Sequence, residues 1–157
     1  TLLMDLLTQK EEKVDLRTRE FRFNIKLLSE RLIGAKRRLQ NQTATKKLNI
    51  GYFGSSTGAA AALIAAAKHP ANVGAVVSRG GRTDLAEKYL SKVKAPTLLI
   101  VGGNDAVGLN INRETIKQLN AEKRLEVVSG ASHLFEEPGK LEEVAKLAAD
   151  WFKTHLH

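Results

Sequence analysis

Apolar and polar positions along the chain fall into blocks that predict strands and helices in regular succession. Short, nearly continuous apolar runs have the length of strands buried in a parallel sheet; they lie at 2–7, 48–53, 73–78, 97–101 and 125–128. Segments with helical spacing separate them, at about 8–39, 58–68, 84–91, 112–120 and 141–155. Strict alternation with short connections is typical of a mostly parallel sheet with helices on both faces. The sequence therefore predicts the α/β class.

The first helical segment is the longest and the most clearly amphipathic. Thr8 followed by Glu11 has the spacing of a capping box at a helix start. The apolar positions then step by three or four residues along one face; they are Phe21, Ile25, Leu28, Leu32, Ala35 and Leu39. This spacing predicts one helix from Thr8 to about Leu39.

Composition narrows the functional classes. A chain of 157 residues with 43% hydrophobic residues predicts one domain, 1–157, with a proper core. It has no cysteine, and this excludes disulfides and thiolate metal sites. No run of 18 apolar residues is present, so we expect no membrane partner. A start at Thr1 with an acid at Asp5 and no basic leader favours a cytoplasmic location, and neither a metal nor another cofactor is expected.

The net charge of +8 raises the question of nucleic-acid binding. Residues 1–47 hold 12 Lys and Arg against 6 Asp and Glu, so most of the excess lies on the first helical segment and is mixed with acids. That mixture is typical of a solvated helix face. The aromatic residues there, Phe21 and Phe23, fit a core-facing stripe better than a stacking platform. We therefore expect no nucleic-acid partner.

A glycine- and serine-rich turn follows the second predicted strand. Gly54-Ser55-Ser56-Thr57-Gly58 matches G-x-S-x-G between a strand and a helix, the turn that lifts a nucleophilic serine above a sheet. Ser56 is the predicted nucleophile, and the Thr57 N–H at the helix start is a predicted oxyanion donor. The alternative is a phosphate-binding turn. The glycines at 51, 54 and 58 do not form G-x-G-x-x-G, and no lysine completes a Walker A loop.

Two further residues at strand ends support that interpretation. Asp105 follows the strand at 97–101, and His133 follows the strand at 125–128. The chain order Ser, Asp, His is the one that this kind of fold uses, and ligands bind at the carboxyl ends of parallel strands. Asp105 and His133 could instead be ordinary loop residues, and Asp84 is an alternative acid.

Two arginines follow the strand at 73–78. Arg79 and Arg82, in the segment Ser78-Arg79-Gly80-Gly81-Arg82, are candidate contacts for an anionic group of a substrate. Solvent-exposed loop arginines are the simpler interpretation.

Several of these segments together resemble bacterial dienelactone hydrolase-like serine α/β-hydrolases, which occur alone or fused to a phosphoribosyltransferase domain. The matching segments are Ile50 to Ala61, Val76 to Arg82, Leu98 to Gly103 and Gly130 to Gly139. Dienelactone hydrolases proper use a cysteine nucleophile, so the resemblance implies a generic serine hydrolase rather than a lactone-specific one.

In terms of that resemblance, the chain starts at the fourth strand of the fold, 2–7, and lacks the first three strands and the loop with the second oxyanion donor. Three arrangements are open for this partial domain: segment 2–7 pairs directly with the strand at 48–53, a second copy completes the sheet, or a preceding segment does so. We favour the last. The predicted function is hydrolysis of an ester, thioester or lactone of small size; the alternative is a catalytically incompetent module for protein interaction.

Overall fold

The computed structural model describes residues 1–156 and contains a four-stranded sheet whose neighbouring strands are all parallel. The strands lie across the sheet in chain order, β1-β2-β3-β4. Their bounds are Ile50–Ser55 (β1), Val73–Arg79 (β2), Thr97–Gly102 (β3) and Lys123–Val128 (β4). The predicted α/β fold is confirmed.

Six α-helices and one short 3₁₀ turn connect and flank these strands within residues 1–156. The helices are Gln9–Thr18 (α1), Ile25–Gln40 (α2), Thr57–Lys68 (α3), Glu87–Leu90 (α4), Ala106–Gln118 (α5) and Lys140–His155 (α6), and the 3₁₀ turn is Thr83–Ala86. None of these helices is long and apolar enough to span a bilayer.

The core has two halves, one on each face of the sheet. Successive side chains of a strand point to opposite faces. Val76 and Leu99 pack in the cluster beneath α2, α3 and α4, whereas Val77 and Leu98 pack in the cluster beneath α6. All four are fully buried or nearly so. Helices therefore cover both faces, as predicted.

The strand register brings the loops after the strands to one edge. Ser55 at the end of β1 lies opposite Arg79 at the end of β2, and Gly102 at the end of β3 lies opposite Val128 at the end of β4. Because all four strands run in the same direction, the loops that follow them meet there. Ser56, Asp105 and His133 each follow one of these ends.

Segment 2–7 does not form a strand, so that part of the prediction is wrong. Leu3 is 89% exposed, while Leu6 and Leu7 pack against the cluster on the α2 face. Arg31 Nη1 donates to the Leu6 carbonyl, which fixes the segment against α2. A short apolar run does not by itself distinguish a strand from a segment whose leucines cover a helix. Direct pairing of 2–7 with β1 is therefore not observed.

The single helix predicted over 8–39 is two helices with a turn between them. Arg19 ends α1 in the left-handed conformation, with φ of 56°. The buried Asp15 carboxylate accepts hydrogen bonds from the N–H groups of Phe21 (2.7 Å) and Arg22 (2.9 Å) and pairs with the Arg22 guanidinium. These bonds stabilise the turn. The apolar spacing from Phe21 to Ile25 continues across it, and this is why the pattern concealed the break.

The capping box at the start of α1 is confirmed, and it links α1 to α2. The Thr8 hydroxyl accepts from the Glu11 N–H, and the Glu11 carboxylate accepts from the Thr8 N–H. Arg31 of α2 pairs with the same carboxylate at 2.6 Å. The hydrogen bond from Arg31, with those from Thr8, lowers the pKa of Glu11 to about 2. One carboxylate therefore caps α1 and anchors it to α2.

Candidate active site

The turn between β1 and α3 holds Ser56 in a strained conformation. Ser56 has φ of 50° and ψ of −122°, which non-glycine residues rarely adopt, and α3 starts at the next residue. A Cβ on Gly54 would lie 2.5 Å from the Gly58 carbonyl oxygen and 2.6 Å from Ala59 Cα. Only glycine at position 54 permits this close crossing of strand and helix. The local geometry is that of a nucleophile elbow.

Backbone hydrogen bonds from the loop after β2 hold the elbow on both sides. The Ser56 N–H donates to the Arg79 carbonyl at 3.2 Å, and the Arg82 N–H donates to the Ser56 carbonyl at 3.0 Å. The strained residue is thus fixed by the loop after β2 as well as by its own helix, whose Ala59 N–H donates to the Ser56 carbonyl at 3.2 Å. Strain of this kind persists where surrounding structure determines it.

Asp105 and His133 form a hydrogen-bonded pair beside the same sheet edge. His133 Nδ1 lies 2.7 Å from Asp105 Oδ2. A carboxylate only accepts, so this bond places the ring proton on Nδ1 and leaves Nε2 with a lone pair for a proton. The Asp105 side chain is 11% exposed and that of His133 is 43% exposed. The ring is therefore open to solvent while its partner is protected.

The first turn of α5 fixes the Asp105 carboxylate. Asp105 is the N-cap of α5, and its Oδ1 accepts from the Gly108 N–H at 2.9 Å. A Cβ on Gly108 would lie 2.7 Å from Asp105 Cγ, so this position has no room for a side chain. The apolar spacing predicted a helix start at about 112. The cap explains why α5 starts at Ala106 instead.

The loop that carries His133 is held by polar contacts around the ring. The Ser132 N–H donates to Glu137 Oε1 at 2.9 Å, and this bond is the main cause that lowers the pKa of Glu137 below its usual value. Asn104 Nδ2 donates to the Gly130 carbonyl at 3.1 Å. Phe135, fully buried with φ of 59°, fastens the loop to the core beneath α6.

Among the other predicted site residues, Asp84, Arg79 and Arg82 have partners within the protein. Asp84, the alternative acid, pairs with Arg82 at 2.8 Å rather than with His133. Arg79 Nη2 donates to Ser55 Oγ at 2.6 Å, and its guanidinium lies 6.0 Å from the centre of the Phe135 ring. Substrate contacts by Arg79 and Arg82 stay predictions. Thr57 is the first residue of α3, where backbone N–H groups lack partners in the helix.

Three residues near the pair were not singled out by the sequence. Gly80, with φ of +51°, lies so close to His133 that a Cβ there would be 3.1 Å from the His133 carbonyl oxygen. Gly108 supports the Asp105 carboxylate, and Glu137 holds the backbone before His133. For Gly80, the Gly-Gly pair directly after a strand was the available signal. Within residues 1–156, no cluster of three or more His, Asp or Glu side chains could hold a metal ion.

Comparison with known proteins identifies the family. The sequence profile of the Dienelactone hydrolase family matches residues 5–156. The chain belongs to this family. A dienelactone hydrolase of known crystal structure from Anabaena variabilis is 57% identical, with a TM-score of 0.96 over 100% of this chain and 73% of that one. The resemblance inferred from the elbow and the histidine loop is confirmed.

Other relatives define how far the family membership extends. Two curated Mycobacterium tuberculosis proteins named as phosphoribosyl transferases are 56% identical over 156 residues. The match takes in 99% of this chain but 34% of each of theirs, so the chain spans about a third of their length. A monoacylglycerol lipase from Paleococcus ferrophilus, 17% identical, has a TM-score of 0.70 over 83% of this chain and 76% of its own. At that identity the likeness concerns the α/β-hydrolase fold alone.

Proposed function

We propose that this member of the dienelactone hydrolase family is a serine hydrolase that cleaves carboxylic ester, thioester or lactone bonds through an acyl-enzyme on Ser56. The observation that carries the proposal is the 2.7 Å contact between Asp105 and His133 at the sheet edge where Ser56 occupies its strained turn. Nucleophile, base and orienting acid are the three parts that such chemistry needs.

The mechanism assigns one step to each side chain. His133 Nε2 takes the Ser56 hydroxyl proton as Oγ attacks the carbonyl carbon, and Asp105 stabilises the imidazolium that results. The Thr57 N–H, at the start of α3, donates to the oxyanion of the tetrahedral intermediate. The intermediate collapses when its bond to the alcohol or thiol breaks, and His133 returns the proton to that leaving group. Water, activated by His133 in the same way, then hydrolyses the acyl-enzyme.

The transferase name of the curated relatives does not compete with this proposal. That name belongs to proteins about three times as long as this chain, since the match covers 34% of their length. The hydrolase chemistry is assigned to the matched segment alone. The identity of the acyl and alcohol groups is left open within the class of small ester-type substrates.

Covalent labelling with a fluorophosphonate tests the proposal directly. Only a serine activated by a base reacts fast with such a reagent, because an unactivated hydroxyl is a weak nucleophile. We expect one stoichiometric modification of the full chain, located at Ser56 by peptide mass spectrometry and absent from Ser56→Ala. The matched control is Ser129→Ala, an exposed serine directly after β4 that has no elbow; it should label like the wild type.

Two results would contradict the proposal. Undiminished labelling of Ser56→Ala would remove Ser56 from the mechanism. An unlabelled full chain would favour the alternative, a hydrolase-like module that serves in protein interaction.

A further inference from the structure

A fully buried amide lies behind the candidate active site and has no part in the mechanism. Asn112 of α5 is 0% exposed. Its Nδ2 donates to two carbonyl groups, that of Gly108 at 2.9 Å and that of Gly81 at 3.1 Å. Its Oδ1 is buried without a hydrogen-bond partner among residues 1–156. Since both neighbours are acceptors, they fix the amide with its NH₂ group between them, and the orphaned oxygen is the cost of that arrangement.

The Gly108 side of this amide leads to the acid. The Gly108 N–H holds Asp105 Oδ1 at 2.9 Å, while Asp105 Oδ2 contacts His133. Gly108 lies so close to the carboxylate that no Cβ fits between them. Any rotation of this first helical turn therefore moves the carboxylate that orients the imidazole.

The Gly81 side leads to the nucleophile and the base. Gly81 lies between Gly80, which packs against the His133 ring and backbone, and Arg82, whose N–H holds the Ser56 carbonyl at 3.0 Å. The loop that contains Gly81 therefore touches both of the other reacting residues. Asn112 is the side chain that joins this loop to the turn that carries Asp105.

We infer that Asn112 is a positioning residue: its single NH₂ group sets the distance between the Asp105 turn and the loop that contacts Ser56 and His133. The inference rests on the proposed serine hydrolase function. It assigns Asn112 no contact with substrate. The arrangement keeps a buried amide whose oxygen is unsatisfied, and a positioning role explains why an amide lies at this position.

Thr115 provides a matched control on the same helix. It is buried, 2% exposed, and its hydroxyl hydrogen-bonds the buried Thr83 hydroxyl at 2.6 Å. This bond also joins α5 to the segment after β2. Within residues 1–156, however, neither Thr83 nor Thr115 forms a hydrogen bond with Ser56, Asp105 or His133. Loss of Thr115 should therefore weaken the same interface without moving the site.

The first measurement is the rate at which a fluorophosphonate phosphonylates Ser56, with loss of fluoride, as a function of reagent concentration in the full chain. For Asn112→Ala we expect the maximal phosphonylation rate to fall about 10- to 100-fold with unchanged reagent affinity, because a displacement of about 1 Å has an effect of this size. Thr115→Ala should keep the wild-type maximal rate even when its denaturation midpoint falls as far as that of Asn112→Ala. Asn112→Ser, which can still donate to the carbonyl four residues back but does not reach Gly81, should behave like Asn112→Ala and serves if that variant does not fold.

The second measurement does not depend on Ser56 chemistry. Nitrogen-15 chemical shifts of the His133 ring report which nitrogen carries the proton, and Asp105 fixes it on Nδ1. We expect a mixture of tautomers in Asn112→Ala and Asn112→Ser but not in Thr115→Ala. A wild-type maximal rate and ring spectrum in the Asn112 variants, or equal losses in Thr115→Ala, would overturn the inference. A wild-type chain that is not labelled, together with altered His133 shifts in Asn112→Ala, would overturn the proposed function and still support positioning of the pair.

Discussion

The Asp105 carboxylate has two tasks, one for each oxygen. Oδ1 caps α5 through the Gly108 N–H, and Oδ2 contacts the His133 ring. Because the cap holds the side chain through Oδ1, the second oxygen needs little further ordering to orient the imidazole. The Asp105 carboxylate therefore stabilises α5, the helix whose start presents this carboxylate to His133.

Substitution of this acid by its amide separates the two tasks. Asn is as good an N-cap as Asp, so Asp105→Asn should retain most of the unfolding free energy. An amide can donate to Nδ1 and so stabilises the wrong tautomer of His133, and we expect the phosphonylation rate of Ser56 to fall by about 1000-fold or more. The rate is measured with a fluorophosphonate at fixed concentration.

Asp84→Asn is the control for that substitution. Asp84 forms a partly exposed ion pair with Arg82, and such pairs contribute about 0–1 kcal/mol. The phosphonylation rate of Ser56 in Asp84→Asn should stay within about twofold of the wild type. A large loss in Asp84→Asn with none in Asp105→Asn would exchange the roles of the two acids.

At this scale the sequence predicted the residues that follow strands, and it missed those that act through the backbone. Ser56, Asp105 and His133 stand at strand ends in an order that a known chemistry uses. Asn112 binds the Gly81 carbonyl of the loop after β2, and Glu137 binds the Ser132 N–H of its own loop. A side chain's choice of backbone partner depends on the tertiary fold and leaves no spacing in the sequence.

Among the elements, four of five predicted strands are present, and each of them pairs with at least one neighbour in the parallel sheet. Segment 2–7 has the same composition but no hydrogen-bonded neighbour in the described sheet, and Leu6 and Leu7 pack against the cluster on the α2 face instead. The apolar content of segment 2–7 therefore predicted the burial of some of its side chains, but it did not predict whether the segment pairs with a strand. The break between α1 and α2 was missed for a related reason. Asp15 stabilises the turn there, but in the sequence it cannot be distinguished from an ordinary polar residue on a helix face.

Helix α6 depends on small residues in the strands beneath its end. A Cβ on Gly51 of β1 would lie 2.6 Å from Phe152 Cε1 and 2.9 Å from Leu156 Cδ1, and one on Gly74 of β2 would lie 3.0 Å from the His155 carbonyl oxygen. Both glycines let α6 approach the sheet closely. Side chains there would have to displace the helix end or its side chains.

Paired glycine substitutions test this account of α6. Gly51→Ala forces Phe152 and Leu156 to move, so it should lower the unfolding free energy by about 1–3 kcal/mol. Gly34→Ala, in the exposed face of α2 with nothing within 4 Å of the added Cβ, should raise it by about 0.5–1 kcal/mol. Urea denaturation measures both.

The opposite signs are the substance of this prediction. A neutral or stabilising Gly51→Ala would show that the end of α6 is not packed on β1 as described. A destabilising Gly34→Ala would show that α2 is covered at that point.

For the molecule as a whole, β2 and β3 are common to both halves of the core. Val76 and Val77, adjacent in β2, belong to opposite clusters, and so do Leu98 and Leu99 in β3. Because both halves of the core contain side chains of β2 and β3, one half cannot lose these strands while the other stays folded. The order of the strands across the sheet was not predicted, because the period of a strand records which face is buried and not which strand lies beside it.

This shared pair of strands predicts that residues 1–157 unfold as one domain. Trp151 is the only tryptophan of the chain; it lies in the cluster beneath α6, 8% exposed, with Nε1 donating to the Pro96 carbonyl at 3.4 Å. Its fluorescence therefore reports on the α6 face, while far-UV circular dichroism is dominated by the helices of the other face. In urea the two signals should give the same midpoint and the same slope, as expected of a two-state transition.

An earlier fluorescence transition would mean that α6 leaves the sheet while α2 and α3 remain folded on it. In that case the two halves would be separate cooperative units, and the loop that positions His133, which leads directly into α6, would lose its support before the elbow of Ser56 does.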